Sequence, residues 1–252
     1  MEKTVTIACP VRNREQYLPF YLDCIKKQTY PKQWTNLFFV TNNCTDNSKK
    51  ILNIFKKNNE HLYPLIRIDN IDNDKIPDDS SDRYIRSKTN SIYSFLAYLR
   101  NYITSNCNTN YLLSCDSDIM MIPETLTRLL SHNKKCISGL VCNGHLFAQM
   151  YKVNKYKYTN AMKKNPAGKY VHFLRSELKG LIEVDVTGAV YLIHRDIYKN
   201  CKYEVDIQGE DIPFCRSVQS MGEKLYCDTD LKLPHCMSLE LLDDYKKGNF
   251  VY

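Results

Sequence analysis

The chain has 252 residues, of which 43% are hydrophobic and 25% charged, a balance that excludes wholesale disorder and fibrous repeats. No apolar run is long enough to cross a bilayer, and Met1–Pro10 has too little apolar length for a signal peptide, so a soluble, cytoplasmic protein with no integral membrane segment is expected. The formal charge of +7 comes from lysines scattered along the chain, without a nucleic-acid motif, so no nucleic-acid partner is expected either.

Thr4–Cys9 alternates and is β-branched, which predicts a strand. Pro10–Arg14 breaks it, and Leu18, Tyr21, Leu22 and Ile25 then recur at helical spacing over Tyr17–Lys27. Leu37–Val40 reads as a buried strand, Thr41–Asp46 as a polar turn in which Thr45 or Asp46 caps a helix over Ser48–Lys57. Leu65–Ile68 is a further strand, Asp69–Asp82 an acidic loop, and Tyr84–Ile103 a long helix. Tyr111–Cys115 is a strand ending in Asp116-Ser117-Asp118, and Pro123 opens a helix to about His132. Cys136–Cys142 is a strand. Asn143–Gly180 is long, Tyr- and Lys-rich and weakly periodic, the signature of a functional loop. Glu183–His194 reads as a strand pair or one strand broken at Gly188. Gly209–Met221 is a helix opened by two carboxylates, Lys224–Cys227 a last short strand, and the rest a tail carrying His235.

The β-α-β-α-β-α-β order predicts one α/β domain over 1–252 with a mostly parallel, Rossmann-like central sheet flanked by helices. Ligands bind such sheets at the carboxyl ends of the strands, where Pro10–Arg14, Thr41–Asp46 and Asp116–Asp118 all fall. Residues 1–120 would form one half of the domain and 121–252 the other. The eleven cysteines are odd in number and lack any C-x-x-C pair; several (Cys9, Cys115, Cys142) sit in apolar runs, so reduced, core-packed thiols are expected.

The most informative segment is Leu112–Met120. A buried strand there delivers two carboxylates, one residue apart, to the sheet edge. Close like charges disfavour each other's ionisation, and a divalent cation removes that cost. Hard oxygen ligands favour Mg²⁺ or Mn²⁺. The same triplet could be a plain surface turn; its place after a buried strand favours function.

In this setting the segment resembles the metal-binding D-x-D of nucleotide-sugar glycosyltransferases with the GT-A fold, glycosyltransferase family 2 in particular. Ile7–Arg14 with Tyr17-Leu18 is similar to that family's opening strand and loop. Val40–Asp46 is similar to its V-D-N-N-S-T-D stretch, with Thr41 where the family often has the Asp that contacts the donor base. Leu99-Arg100-Asn101 matches its A-R-N element. Val186–Ala189 and Gly209-Glu210-Asp211-Ile212, with Arg216 and Gly222, match the later acceptor-side strand and the E-D helix.

The resemblance implies a metal-dependent glycosyltransferase that moves a hexose from a UDP- or GDP-sugar to a hydroxyl on a glycan, lipid, protein or small molecule. Pro10, Arg12, Asn42 and Asp46 would line the nucleoside pocket, and Arg100, Asp116 and Ser117 would lie near the diphosphate. Asp118 would be the main metal ligand, assisted by Asp116 and by the late histidine, His235. Asp211, with Glu210 second, would be the general base of an inverting displacement; both carboxylates equally suit simple helix capping. A retaining transferase on the same fold and a non-catalytic nucleotide-sugar-binding protein remain as alternatives. A sugar nucleotidylyltransferase is disfavoured, because Ala8–Arg14 contains no glycine.

Overall fold

The computed structural model describes residues 2–73, 90–144, 159–206 and 208–252. Its core is an eight-stranded sheet with order β3-β2-β1-β4-β9-β5-β10-β8, formed by β1 (Val5–Val11), β2 (Thr35–Thr41), β3 (Ile66–Asn70), β4 (Tyr111–Cys115), β5 (Cys136–Cys142), β8 (Leu181–Val184), β9 (Val190–His194) and β10 (Leu225–Pro234). A separate antiparallel hairpin pairs β6 (Met162–Lys164) with β7 (Tyr170–His172).

The first half follows the sequence expectation closely. Strands β1, β2, β4 and β5 are buried along nearly their whole length, as parallel strands covered on both faces must be. Between them lie α1 (Leu18–Lys26), with Pro19 in its first turn where no intrahelical donor is needed, α2 (Ser48–Asn59), α3 (Asn90–Asn106) and α4 (Thr125–Ser131). The last begins two residues after the expected Pro123, whose carbonyl accepts the Thr29 amide at 2.9 Å.

Four pairings are parallel (β1–β2, β1–β4, β2–β3, β5–β10) and three antiparallel (β4–β9, β5–β9, β8–β10). Each antiparallel pairing involves β8 or β9, strands of the second half. There β8 and β9 do not pair with each other. A tight turn at Gly188–Val190 sends β9 between β4 and β5, while β8 stays at the sheet edge on β10. Val190 donates to the Gly188 carbonyl at 2.7 Å, across Ala189 held at φ 62°. That is a strained three-residue turn.

The last strand is longer than the expected Lys224–Cys227. It passes through a bulge between Asp228 and Lys232, which the Asp228 carboxylate stabilises by accepting the Asp230 and Leu231 amides. Three more helices follow among the described residues: α5 (Arg195–Tyr198), α6 (Asp211–Ser220) and the unforeseen α7 (Leu239–Lys246). Ser238 caps α7, its hydroxyl accepting the Leu241 amide at 3.2 Å. Part of the expected loop 69–82, the helix start at Tyr84, and Tyr151, Tyr156 and Tyr158 of the expected functional loop lie outside the described residues. Among the described residues no helix is long and apolar enough to cross a membrane. All eleven cysteines are free thiols, ten of them buried.

Candidate active site

The loops after β1 and β2 are laced together by side chains that accept backbone amides. The Asp46 carboxylate takes the amides of Glu15 and Ser48, both at 2.9 Å, Ser48 Oγ takes that of Arg14 at 2.7 Å, and Asn13 Oδ1 takes that of Thr45 at 2.9 Å. Asn13 and Asn43 occupy the left-handed region, which asparagine tolerates. These bonds set Arg12 and Arg14 at the rim. The result is a cleft of about 210 Å³ lined by Pro10, Arg12, Arg14, Asn42, Arg100 and Asp116–Asp118, with Ile92, Phe95, Leu96 and Leu99 of α3 as its apolar wall. Of the residues expected to bind the donor, only Asp46 is missing from that lining; it shapes the loop from behind.

Arg100, 3% exposed, is the buried pivot. Its Nε donates to Glu210 Oε1 at 2.6 Å, Nη1 to Ser114 Oγ at 2.8 Å and Nη2 to Asp116 Oδ1 at 2.8 Å. One guanidinium thereby ties the strand bearing the acidic triplet to the start of α6. Burial of a charge this deep is tolerable only because both sides are paired. Burial pushes the Asp116 carboxyl above its ordinary value, with Asp118 and Glu210 adding to the rise and Arg100 opposing it.

Asp118 behaves oppositely. Burial works to raise it, but the charge and hydrogen bond of His235, together with Arg14, hold it down at about 2. The contacts are His235 Nε2 to Asp118 Oδ1 at 3.5 Å and Arg14 Nη2 to Asp118 Oδ2 at 3.6 Å. The backbone brings His235 there: Cys236 donates to the Asp118 carbonyl at 2.8 Å, and Met120 donates to Pro234 at 2.9 Å. His235 Nδ1 lies 2.9 Å from Asn143 Oδ1; with Nδ1 donating there, Nε2 is a donor to Asp118 when the ring is protonated and a lone pair for a cation when it is neutral.

Asp118 and His235 thus offer one hard oxygen and one imidazole nitrogen at a shared point, a donor set suited to Mn²⁺ or Mg²⁺ with its remaining positions open. Asp116 is turned towards Arg100 instead. Among the described residues no group of three His, Cys, Asp or Glu side chains is placed to hold a metal.

His235 also lines a second cleft of about 350 Å³, with Asn143, Asn160, His172, Gly188 and Asp211 among its walls. The first cleft takes its lining from residues 10–118 and the second from residues 141–237, and the Asp118–His235 contact is where they meet. Among the aromatic residues of the expected functional loop, His172 lines this cleft. Tyr170 instead accepts a hydrogen bond from Arg216 Nε at 3.1 Å, and Phe173 is buried beside Lys163.

Asp211 and Glu210 have diverged. Glu210 is 4% exposed and held by Arg100, whereas Asp211 faces the second cleft. Burial, reinforced by Glu210 and Asp116 and opposed by Arg100 and a Tyr191 hydrogen bond, lifts the Asp211 carboxyl to about 7. Its Oδ2 lies 2.0 Å from where a Cβ on Gly188 would sit, so residue 188 has to lack a side chain. Asn160 Nδ2 steadies that turn by donating to Gly188 O and Thr187 Oγ1, both at 3.1 Å.

Sequence reasoning missed Arg14, the α3 wall and Tyr191. The α3 signal was present as a 92, 95, 96, 99 stripe, but that spacing also describes core packing. A larger cavity of about 470 Å³ opens at the opposite strand ends, near Trp34, Arg67 and Asn108. Its lining has no carboxylate, and Arg67 there is already paired with Asp69 at 2.6 Å.

Comparison with known proteins places this geometry. Human procollagen galactosyltransferase 2 is 24% identical over 153 residues, covering 59% of this chain and 24% of that protein. Procollagen galactosyltransferase 1-B of Xenopus laevis is 24% identical over 212 residues, covering 81% and 33%. The chain therefore spans a quarter to a third of the length of these relatives. Among solved structures, the mannosyltransferase PcManGT from Pyrobaculum calidifontis, in complex with GDP-Man and Mn²⁺, superposes with a TM-score of 0.62 at 13% identity, over 94% of this chain and 58% of that one. S. aureus TarS 1–349 in complex with UDP-GlcNAc gives 0.59 at 13% identity, over 92% and 58%. The fold is the GT-A fold expected from the sequence. A model of the Anp1 family matches residues 1–208, and the chain belongs to that family.

Proposed function

We propose that the protein is an inverting, metal-dependent glycosyltransferase that moves a hexose from a UDP- or GDP-sugar to an acceptor hydroxyl. The observation that carries this reading is the junction at Asp118 and His235. There a basic, partly apolar cleft fit for a nucleoside diphosphate meets a second cleft with a carboxylate poised near neutrality. The procollagen galactosyltransferase relatives make galactose the first sugar to test and procollagen the first acceptor.

The nucleoside would lie between Pro10, Asn42 and the α3 wall, and the diphosphate towards Arg12 and Arg14. Asp116 and Ser117 close the floor, with Asp116 held off the phosphates' charge by Arg100. Asp46 acts indirectly, by fixing the loop that carries the arginines. Asp118 and His235 would hold the cation, which when bound neutralises charge on the leaving diphosphate.

On the far side the acceptor hydroxyl would approach Asp211 Oδ2. As its oxygen bonds to the anomeric carbon, the bond from that carbon to the diphosphate oxygen breaks, and the hydroxyl proton passes to Asp211. Attack opposite the leaving group inverts the anomeric centre. A carboxylate with a pKa near the working pH is suited to both states of that cycle. Glu210, already engaged, serves to anchor Arg100.

A thermal-shift panel of UDP-galactose, UDP-GlcNAc and GDP-mannose, with and without Mn²⁺, tests the reading. One nucleotide series is expected to raise Tm only with metal, and Asp118→Ala is expected to erase the shift. Retention of anomeric configuration in the product would overturn the single displacement. No metal-dependent shift and no nucleotide release with any donor would overturn the enzyme.

A further inference from the structure

Two buried phenols stand behind Asp211 without reaching either cleft. Tyr191, fully buried, donates to Asp211 Oδ1 at 3.0 Å, and its hydroxyl is in turn bonded to that of Tyr203, 3% exposed. The direction of this chain is fixed when Asp211 is ionised. A carboxylate only accepts, so Tyr191 donates to it and Tyr203 donates to Tyr191. The rings are locked. Tyr203 stacks on Phe214 at 4.2 Å, Tyr191 meets the same ring edge-on at 5.8 Å, and the Tyr203 backbone is clamped on both sides by Asn101, at 2.7 and 2.9 Å.

From this geometry we infer that Tyr191 and Tyr203 are positioning residues for the acceptor-side base, holding Asp211 Oδ1 so that Oδ2 alone is presented at Gly188. Oδ1 is occupied by the phenol and Oδ2 is pressed into the space that the missing Gly188 side chain leaves. A carboxylate with both oxygens free would rotate between equivalent orientations. One pinned by its inner oxygen offers a single, fixed acceptor for a proton. Asn101 adjoins Arg100 on α3, so one helical turn anchors both Glu210 through the guanidinium and Asp211 through the phenols.

The charged and titratable groups facing Asp211 are Glu210 and Asp116, which oppose its ionisation, Arg100, which favours it, Tyr191, whose donated bond also favours it, and Tyr203 and Cys215, whose burial keeps both neutral; His172 and His235 share its cleft. Removing that bond must therefore make Asp211 harder to ionise.

The role of Asp211 in turnover rests on the function proposed above; its titration does not. Asp211 can be followed by ¹³C-carboxyl NMR in the full chain, its resonance identified by loss in Asp211→Asn. Tyr191→Phe is expected to move the Asp211 midpoint up by roughly half to one pH unit, and Tyr203→Phe to move it in the same direction by less. With UDP-galactose and Mn²⁺, the acid limb of UDP release should shift equally and kcat should fall about tenfold, with the donor KM unchanged. An Asp211 midpoint unmoved in Tyr191→Phe and Tyr203→Phe would overturn the inference whatever the activity. Should Tyr191→Phe fail to fold, Tyr203→Phe decides it alone. A shifted midpoint in a protein that releases no UDP would leave the phenol relay standing and count against the proposed function.

Discussion

Two buried clusters of carboxylate and arginine among the described residues differ in what is left over. In the cluster at Asp228, 1% exposed, every lone pair is spent. Arg128 donates twice at 2.6 and 2.9 Å, His132 Nε2 lies at 2.8 Å, and the Asp230 and Leu231 amides take the rest. Burial raises this carboxyl, but Arg128 and His132 outweigh it and hold it below its ordinary value. The cluster joins α4 to the β10 bulge and opens into neither cleft. Around Arg100 the same chemistry is left incomplete: the guanidinium takes one oxygen each of Asp116 and Glu210, while Asp116 and Asp118 line one cleft and Asp211 the other. A structural ion cluster and a candidate active site can share composition and burial. Unspent valence facing a cleft separates them.

That contrast can be broken by substitution. The largest effect is expected at Asp211→Asn, which keeps the shape and removes the proposed proton acceptor. Turnover should fall about 10²–10⁴-fold, read as nucleotide release, while the metal-dependent donor shift in Tm persists. Next is Gly188→Ala, whose methyl would occupy the space of Asp211 Oδ2. A loss of about 10²-fold in kcat with donor binding intact is the expected result, and wild-type kcat would show that the carboxylate can serve from elsewhere. At the other cluster, Asp228→Ala strands Arg128, His132 and two amides. A loss of about 3 kcal/mol in urea unfolding is expected, with kcat per folded molecule unchanged. A reversal of these two outcomes, activity lost at Asp228 and stability lost at Asp211, would invert the assignment of the clusters.

How far the sequence disclosed this arrangement follows from the kind of contact involved. Strands β1, β2, β4 and β5 are local: apolar runs bounded by turn residues, each buried on both faces. The Asp116-Ser117-Asp118 triplet was legible because it sits directly after such a run. The pairing of β9 between β4 and β5 was not, because a local pattern carries no information about partners as distant as Tyr111 from His194 or Ser138 from Tyr191. Nor does one-dimensional reading reveal that Asp46 is spent on the amides of Glu15 and Ser48. The turn at Gly188 was visible only as a break, since the reason for glycine there is the Asp211 carboxylate arriving from another element. Tyr191 reads as an ordinary strand residue until Tyr203 and Asp211 fold against it.

The smallest expected effect concerns stability against pH, and here the two clusters should differ in sign. Asp228 has a depressed folded-state value, so its contribution is present above the ordinary carboxylate range and is lost as pH falls through that value. Asp211 is raised from 3.8 to about 7, so the folded chain holds a proton that the unfolded chain gives up. Its contribution is full below 3.8 and is lost as pH rises to about 7. Tm of the wild type should therefore decline over that interval through Asp211, and Asp211→Asn should flatten the decline, leaving the inactive variant more stable than the wild type by a few degrees at pH 8. An unchanged slope would mean that Asp211 ionises without strain in the folded chain, and would remove the physical ground for treating it as a tuned base.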